Sequence, residues 1–214
     1  MKQKAHSLYD AAFGSLLGAC VGDAAGARLE FIGRKPTLDE VRHAMTMPGG
    51  GVWNVAPGQI TDDGELTLCL AQALCGSTQF PLEQIARNYA AWLQSGPFDK
   101  GITTSHAFGA VRSPHWQATY ETESYAEAMR KAAGFWSLDS KANGSLMRAT
   151  PLGIWGYQLE DAELAEYAQQ DSRLSHPNES CCQAVACYAL AISSVMKEPG
   201  AHELAFQRAW RWAQ

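Results

Sequence analysis

The sequence predicts an all-α fold in a single compact multi-helix domain, for three reasons. Apolar residues recur at helical spacing along most of the 214 residues, and the alternating β-branched runs typical of strands are missing. A hydrophobic content of 46% with 18% charged residues is typical of a globular domain. Since no Pro- or Ser-rich linker and no charge block divides the chain, we expect one domain over residues 1–214.

The first helix is predicted from about Ser7 to Ala27. Glycines spaced by four residues form a slanting ridge on it, because each step moves the position by about 40° around the axis. They are Gly14, Gly18, Gly22 and Gly26. We expect another helix to pack tightly against this ridge. The segment from Phe13 to Ala27 resembles a membrane span more than any other, but it is too short and contains Asp23.

Turn and cap residues place the next elements. Thr37 and Glu40 predict a capping box that opens a short helix. Residues 47–51, Met-Pro-Gly-Gly-Gly, end it; this stretch lacks the Lys-Ser/Thr of a phosphate-binding loop, and we predict a flexible connection. A helix begins at the acidic pair Asp62-Asp63, and Pro81 fits the first turn of the following helix.

Two loops and further helices complete the pattern. Residues 95–104 and 139–145 form loops long enough to be functional. A weakly helical stretch follows Pro151, and an acidic surface helix spans residues 161–170. His176-Pro177 then opens a strongly apolar helix.

Charge and cysteine usage exclude several functions. A net charge of −5 and a pI near 5.7 give no basic field for general nucleic-acid binding. The cysteines lie among Ala, Leu and Val without CxxC spacing, which predicts small buried side chains in a reducing compartment rather than disulfides or zinc ligands. They are Cys20, Cys69, Cys75, Cys181, Cys182 and Cys187. Leu8-Tyr9-Asp10 interrupts any signal peptide, so we expect a cytoplasmic protein without a membrane partner.

Thr61, Asp62 and Asp63 are the strongest candidates for chemistry. Two adjacent carboxylates and a hydroxyl at a helix start can supply one face of the octahedral oxygen shell that Mg²⁺ or Mn²⁺ prefers. The same residues also suit helix capping, because Thr is a favoured N-cap and acidic residues in the first turn are stabilised by the helix dipole. These residues alone leave both interpretations open.

Three other positions, taken singly, suit structural roles better than catalytic or ligand-binding ones. Glu30 suits a solvated helix end, and Arg148 suits a surface or ion-pair residue. His176, before Pro177, suits a cap or a hydrogen-bonded histidine.

Taken in chain order, these segments resemble the motifs of the ADP-ribosylglycohydrolases, from about Ala11 to Ser194. The matching segments are residues 14–26 with Glu30-Phe31, Thr61-Asp62-Asp63, residues 143–148 (Asn-Gly-Ser-Leu-Met-Arg) with Pro151-Leu152-Gly153, and Ser175-His176. The resemblance implies roughly orthogonal helices around a dinuclear Mg²⁺ or Mn²⁺ site at the bottom of an ADP-ribose cleft. Members of that family cleave the bond between the terminal ribose C1″ and a modified protein side chain.

The resemblance also implies roles for residues of this chain. Thr61, Asp62 and Asp63 would be metal ligands, and Glu30 would act with the two aspartates in catalysis. The residues that would contact ADP-ribose are Gly101, Asn143, Gly144, Ser145 and His176. Such residues suit the chemistry, since glycosidic cleavage passes through an oxocarbenium-like state that a carboxylate-oriented water can attack. An ADP-ribosylated protein or ADP-ribose is the expected partner.

Two departures from the family pattern affect these expectations. Gly64 stands where the family commonly has Thr or Ser, and no Asp-x-Asp-Thr/Ser motif follows Trp155 to complete the metal site. The last helical pattern, residues 201–214, ends without a stop signal, so we expect a domain that is incomplete at its C-terminus. Three functions stay open: an active hydrolase present here as a fragment, a short ADP-ribose-binding module without turnover, and a structural helical protein.

Overall fold

The computed structural model describes residues 7–116, 118 and 124–214, and it confirms the all-α prediction. No strand occurs within these ranges, and Gly50 and Val55 form an isolated antiparallel bridge. The α-helices are α1 (Leu8–Gly26), α2 (Leu38–Ala44), α3 (Asp62–Leu74), α4 (Leu82–Gln94), α5 (Ile102–Phe108), α6 (Tyr125–Trp136), α7 (Thr150–Trp155), α8 (Asp161–Arg173), α9 (Glu179–Lys197) and α10 (His202–Trp212). A 3₁₀-helix spans Gly109–Arg112.

Most predicted helix boundaries are confirmed to within one or two residues. Ser7 caps α1, and Thr37 with Glu40 forms the predicted capping box of α2. Pro81 occupies the N-cap of α4 rather than its first turn. The helix predicted to open at His176 begins instead at Glu179, because the Asn178 side chain accepts a hydrogen bond from the backbone N–H of Ser180 and caps it there.

Helices α3 to α9 enclose the main core. Its large side chains are completely buried and come from all of these helices, so one core stabilises the domain. They include Leu66, Leu70, Ile85, Tyr89, Met129, Leu152, Leu164 and Leu190. Helix α9, not the segment from Phe13 to Ala27, is the described helix that is long and apolar enough to cross a membrane, but half of the qualifying stretch is buried inside this core.

The glycine ridge of α1 does not pack as predicted. A Cβ atom placed on any of its four glycines would have no other atom within 4 Å among the described residues. Helix α1 contacts α3, α7 and α9 through its other side. Tyr9, Phe13 and Leu17 are exposed large apolar residues of the same helix. The expectation of tight helix packing at the ridge is therefore wrong for the described part of the chain.

The segment after α2 is a packed turn rather than the predicted flexible connection. Gly49, Gly50 and Gly51 all have positive φ angles, which glycine adopts without strain. A Cβ atom at Gly49 would lie 2.4 Å from the Val55 carbonyl oxygen, and one at Gly51 would lie 2.6 Å from the Ala27 carbonyl oxygen. The missing side chains thus let a hairpin-like turn, residues 49–55, lie directly against the end of α1.

The cysteines are free thiols, as predicted, but their burial varies. Cys181 and Cys182 are buried, whereas Cys75 is exposed at the end of α3. The prediction of a buried side chain is wrong for Cys75, because α3 ends there and the position no longer faces the core.

Candidate active site

A cleft of about 660 Å³ opens where the end of α1, the start of α3 and two loops meet. This volume is typical of small-molecule sites. The structure brings together almost all of the predicted site residues in its lining: Glu30, Thr61, Asp62, Asp63, Gly101, Asn143, Gly144 and His176.

Ser145 is the predicted contact residue that lies outside the cleft lining. Its side chain is completely buried, and its hydroxyl accepts a hydrogen bond from Ser172 Oγ over 2.9 Å. Ser172 Oγ is also within 3.0 Å of the His176 carbonyl oxygen. Because Ser145 faces the protein interior, its side chain supports the loop instead of reaching the cleft.

Asp23 fixes the start of α3 from a distance of 38 residues in sequence. Its Oδ2 accepts hydrogen bonds from the backbone N–H groups of Thr61 and Gly64, both over 2.8 Å. Its Oδ1 accepts one from the Thr61 hydroxyl over 2.7 Å. Thr61 holds the N-cap position, but its hydroxyl makes no cap to its own helix. Asp23 therefore caps α3 and fixes the orientation of its first turn, which bears Asp62 and Asp63 and which we call the acidic turn.

The absence of a side chain at Gly64 has a steric reason here. A Cβ atom at this position would lie 2.7 Å from Asp23 Oδ2 and 2.8 Å from Ile60 Cβ. Gly64 thus departs from the family pattern at the point where Asp23 comes closest to α3.

Carboxylates crowd the acidic side of the cleft and repel one another. Burial first, and then the charges of Asp99, Asp63 and Asp23, raise the pKa of Asp62 to about 7. Burial first, and then Asp23, Glu30 and Asp99, raise the pKa of Asp63 to about 6. Lys100 also lines the cleft, but its Nζ donates to the Pro97 carbonyl oxygen.

The oxygen atoms of Thr61, Asp62 and Asp63 suit a hard divalent cation, but they could contact such an ion from one side only. Adjacent carboxylates whose pKa values are raised by burial and by mutual repulsion gain stability from a bound cation. In residues 7–116, 118 and 124–214, however, no three His, Cys, Asp or Glu side chains are grouped closely enough to hold a metal ion. Thr61, Asp62 and Asp63 could therefore supply only part of a ligand shell, and the described residues would not complete it.

A buried arginine holds the segments on the opposite side of the cleft in place. Arg148, which the sequence allows as a surface or ion-pair residue, is completely buried and pairs with Asp171. Its Nη1 donates to the Gly144 carbonyl oxygen over 3.2 Å and to Ser175 Oγ over 2.9 Å. The guanidinium carbon also lies 4.5 Å from the centre of the Tyr89 ring. Arg148 thus joins the loop bearing Gly144 to the segment bearing His176.

His176 is held as a neutral imidazole. Burial first, and then the Arg148 charge, lower its pKa to about 3. Its Nδ1 lies 2.8 Å from Ser175 Oγ, which already accepts from Arg148 and so has its own proton free to donate to Nδ1. This arrangement favours the tautomer with the proton on Nε2. A Cβ atom at Gly144 would lie 3.0 Å from Nε2, so glycine is needed for the ring to lie against the loop.

The family model for ADP-ribosylglycohydrolases matches residues 4–214. The chain belongs to the ADP-ribosylglycohydrolase family. Among curated members, the ADP-ribosyl-[dinitrogen reductase] glycohydrolase of Rhodospirillum rubrum is 33% identical over 172 residues, covering 79% of this chain and 52% of that protein. The ADP-ribosylarginine hydrolase Tri1 of Pseudomonas putida (strain GB-1) is 31% identical over 201 residues, covering 88% of this chain and 48% of its own length.

A solved ADP-ribosylglycohydrolase-related structure has the same fold. A chain of an "ADP-ribosylglycohydrolase-related protein complex" superposes with a TM-score of 0.73 at 27% identity, covering 96% of this chain and 62% of that one. By comparison, the chain spans about half the length of the two curated family members named above.

Sequence reasoning missed three contributors to the cleft of this family member. The capping role of Asp23 depends on a contact across 38 residues, which no local pattern reveals. Asp99 lies in a predicted loop, and its place among the carboxylates appears only in the folded chain. Trp53 also lines the cleft, and the adjacent glycines are the one sequence feature that marks its turn.

Proposed function

We propose that this chain carries the substrate-binding and acidic half of a site that hydrolyses the glycosidic bond between ADP-ribose and a modified protein side chain. The observation that carries the proposal is the single cleft in which Glu30, Asp62 and Asp63 face the loop of Asn143 and Gly144. The names of the two curated relatives support the same activity class.

The two sides of the cleft differ in charge and suit different tasks, substrate binding on one side and proton transfer on the other. Nε2 of the neutral His176 and the loop at Gly144 add no negative charge, so this side suits the anionic ADP-ribose. Glu30 suits the task of orienting a water and taking its proton. Burial first, and then Asp99 and Asp62, raise the pKa of Glu30, and a raised pKa makes a carboxylate a better proton acceptor near neutral pH.

We also propose that Thr61, Asp62 and Asp63 bind Mg²⁺ or Mn²⁺ together with ligands from outside the described residues. Such an ion would hold ribose hydroxyls and stabilise negative charge in the site. The free cysteines support the proposal of a cytoplasmic location.

Release of ADP-ribose tests the activity. The chain is incubated with an arginine-linked and a serine-linked ADP-ribosyl peptide, with Mg²⁺ or Mn²⁺, and free ADP-ribose is measured. We expect release that falls by at least about 100-fold in Glu30→Gln, the range for loss of a general base. If a chain extended to the full length of the family members also releases none, the hydrolase proposal fails.

The incomplete metal shell favours one alternative, an ADP-ribose-binding module without turnover. If the chain is such a module, calorimetric titration of the 214-residue chain with ADP-ribose should show a heat of binding. Neither peptide should release free ADP-ribose. Absence of heat with and without Mg²⁺ contradicts it.

A further inference from the structure

Three exposed aromatic rings lie in contact at the cleft: Phe31 and Trp53 line it, and Phe98 contacts Trp53. Phe31, Trp53 and Phe98 are 70%, 39% and 40% exposed. The centre of the Trp53 ring lies 6.4 Å from that of Phe31 and 6.3 Å from that of Phe98, both in edge-to-face geometry. Such contacts hold rings in fixed orientations. We call these three residues the aromatic arch, with Trp53 at its centre.

The backbone holds the arch in place at some cost. Trp53 lies on the turn of residues 49–55, which packs against the end of α1, and Arg28 Nη1 donates to the Gly49 carbonyl oxygen over 2.9 Å. Phe31 has a φ of 56°, a left-handed conformation that is strained for a bulky residue. Strain and solvent exposure of large apolar rings in one place point to a binding role rather than to core packing.

The charges beside the arch select its ligand. Glu30 and Asp99 line the cleft together with Trp53, so two carboxylates share the cleft with the central ring. A planar cation gains from an aromatic face and from the carboxylates together. An uncharged base gains only the stacking part, and a diphosphate is repelled.

We propose that the aromatic arch binds the guanidinium group of an ADP-ribosylated arginine, with Trp53 as the specificity-determining residue for this acceptor. The inference rests on the proposed function, since it assigns the acceptor end of the same cleft. The ribose would lie between the arch and the acidic turn, and the rest of ADP-ribose would extend toward Gly144 and His176.

The test compares three ligands by calorimetry: an arginine-linked ADP-ribosyl peptide, a serine-linked peptide of otherwise identical sequence, and free ADP-ribose. Products are measured after each titration to correct for turnover. Trp53→Leu removes the platform, and Trp53→Phe keeps an aromatic face. Trp210→Leu is the matched control, because Trp210 is an exposed ring that stacks on Phe206 outside the cleft.

We expect Trp53→Leu to weaken the arginine-linked peptide about tenfold, the size of a partly desolvated cation–π contact, and the other two ligands less than about twofold. Trp53→Phe and Trp210→Leu should stay within about threefold of the parent chain for all three ligands. If Trp53→Leu unfolds by circular dichroism, Phe31→Leu replaces it, with the same expected order of effects.

Two results overturn the inference while the proposed function stands. One is an equal loss for all three ligands in Trp53→Leu, which would place the ring on ADP-ribose itself. The other is no loss for any of them. If the parent chain binds none of the three ligands, the proposed function is contradicted and the inference falls with it.

Discussion

Arg148 Nε donates to Asp171 Oδ2 over 3.1 Å in an ion pair whose two side chains are both completely buried. The Tyr89 hydroxyl donates to the other carboxylate oxygen of Asp171 over 2.8 Å, so both carboxylate oxygens accept a hydrogen bond. A charge in this position is tolerated only while its partners are present. The pair therefore anchors the loop of Gly144 and the segment of His176 in one relative position.

Removing the carboxylate charge should destabilise the chain strongly. Asp171→Asn leaves the buried Arg148 charge uncompensated, and we expect a loss of about 3–5 kcal/mol in the free energy of unfolding. Urea unfolding followed by circular dichroism measures it. Asp39→Asn is the control, because Asp39 pairs with Arg42 at the same 3.1 Å but is exposed. Equal, small losses in both variants would contradict the anchoring role.

Asp62 should destabilise the metal-free chain at high pH. Its folded pKa of about 7 lies above the ordinary 3.8, so its contribution to stability is lost as pH rises through 7. Asp62→Asn should raise the melting temperature at pH 8 without divalent ions by at least about 2 °C, the shift for 1 kcal/mol in a domain of this size.

Two comparisons sharpen the Asp62 prediction. Asp161→Asn should lower the melting temperature at pH 8, since the Arg208 hydrogen bond holds the pKa of Asp161 below its ordinary value. Mg²⁺ or Mn²⁺ should raise the melting temperature of the parent chain more than that of Asp62→Asn. A lower melting temperature for Asp62→Asn in EDTA at pH 8 would show that burial of the Asp62 charge among other carboxylates does not destabilise the chain.

The same substitution should have opposite effects at two glycines. Gly64→Ala places a methyl group 2.7 Å from Asp23 Oδ2, so we expect a loss of about 1–3 kcal/mol, as for overpacked sites. Gly18→Ala meets no atom within 4 Å in the interior of α1, and alanine is the better helix former by about 1 kcal/mol. Thermal unfolding should therefore show opposite shifts, and a gain at Gly64 would refute the close approach of Asp23.

His176 should contribute to acid denaturation. Its folded pKa of about 3 lies below the ordinary 6.5, so the unfolded chain binds the extra proton between these values and stability falls as pH drops from about 6.5 toward 3. In His176→Gln, which cannot take up this proton, the loss of unfolding free energy between pH 7 and pH 4 should be smaller. The exposed His202, changed to Gln, should leave the parent's loss unchanged. Equal pH dependence in the parent chain and His176→Gln would contradict a neutral, buried ring.

Local signals predicted the helices, because caps and apolar periodicity act over a few residues, whereas the residues of the cleft were expected from the resemblance of their motifs to those of the ADP-ribosylglycohydrolases. The Thr37–Glu40 capping box and the helix start at Asp62 are examples. The burial of Arg148 could not be predicted in this way, since it depends on Asp171 in another helix. Nor could the open glycine ridge, because spacing shows that a close approach is possible but not that a partner is present.

The bare face of α1 has a consequence for anything that approaches the acidic turn. Gly22 and Gly26 line the cleft next to Asp23, and neither bears a side chain that an incoming segment would have to displace or immobilise. Burying a side chain costs rotamer freedom, but a glycine surface has none to lose. An additional oxygen donor, from the same polypeptide or another, can therefore reach Asp62 and Asp63 along this path with almost no entropic cost to α1.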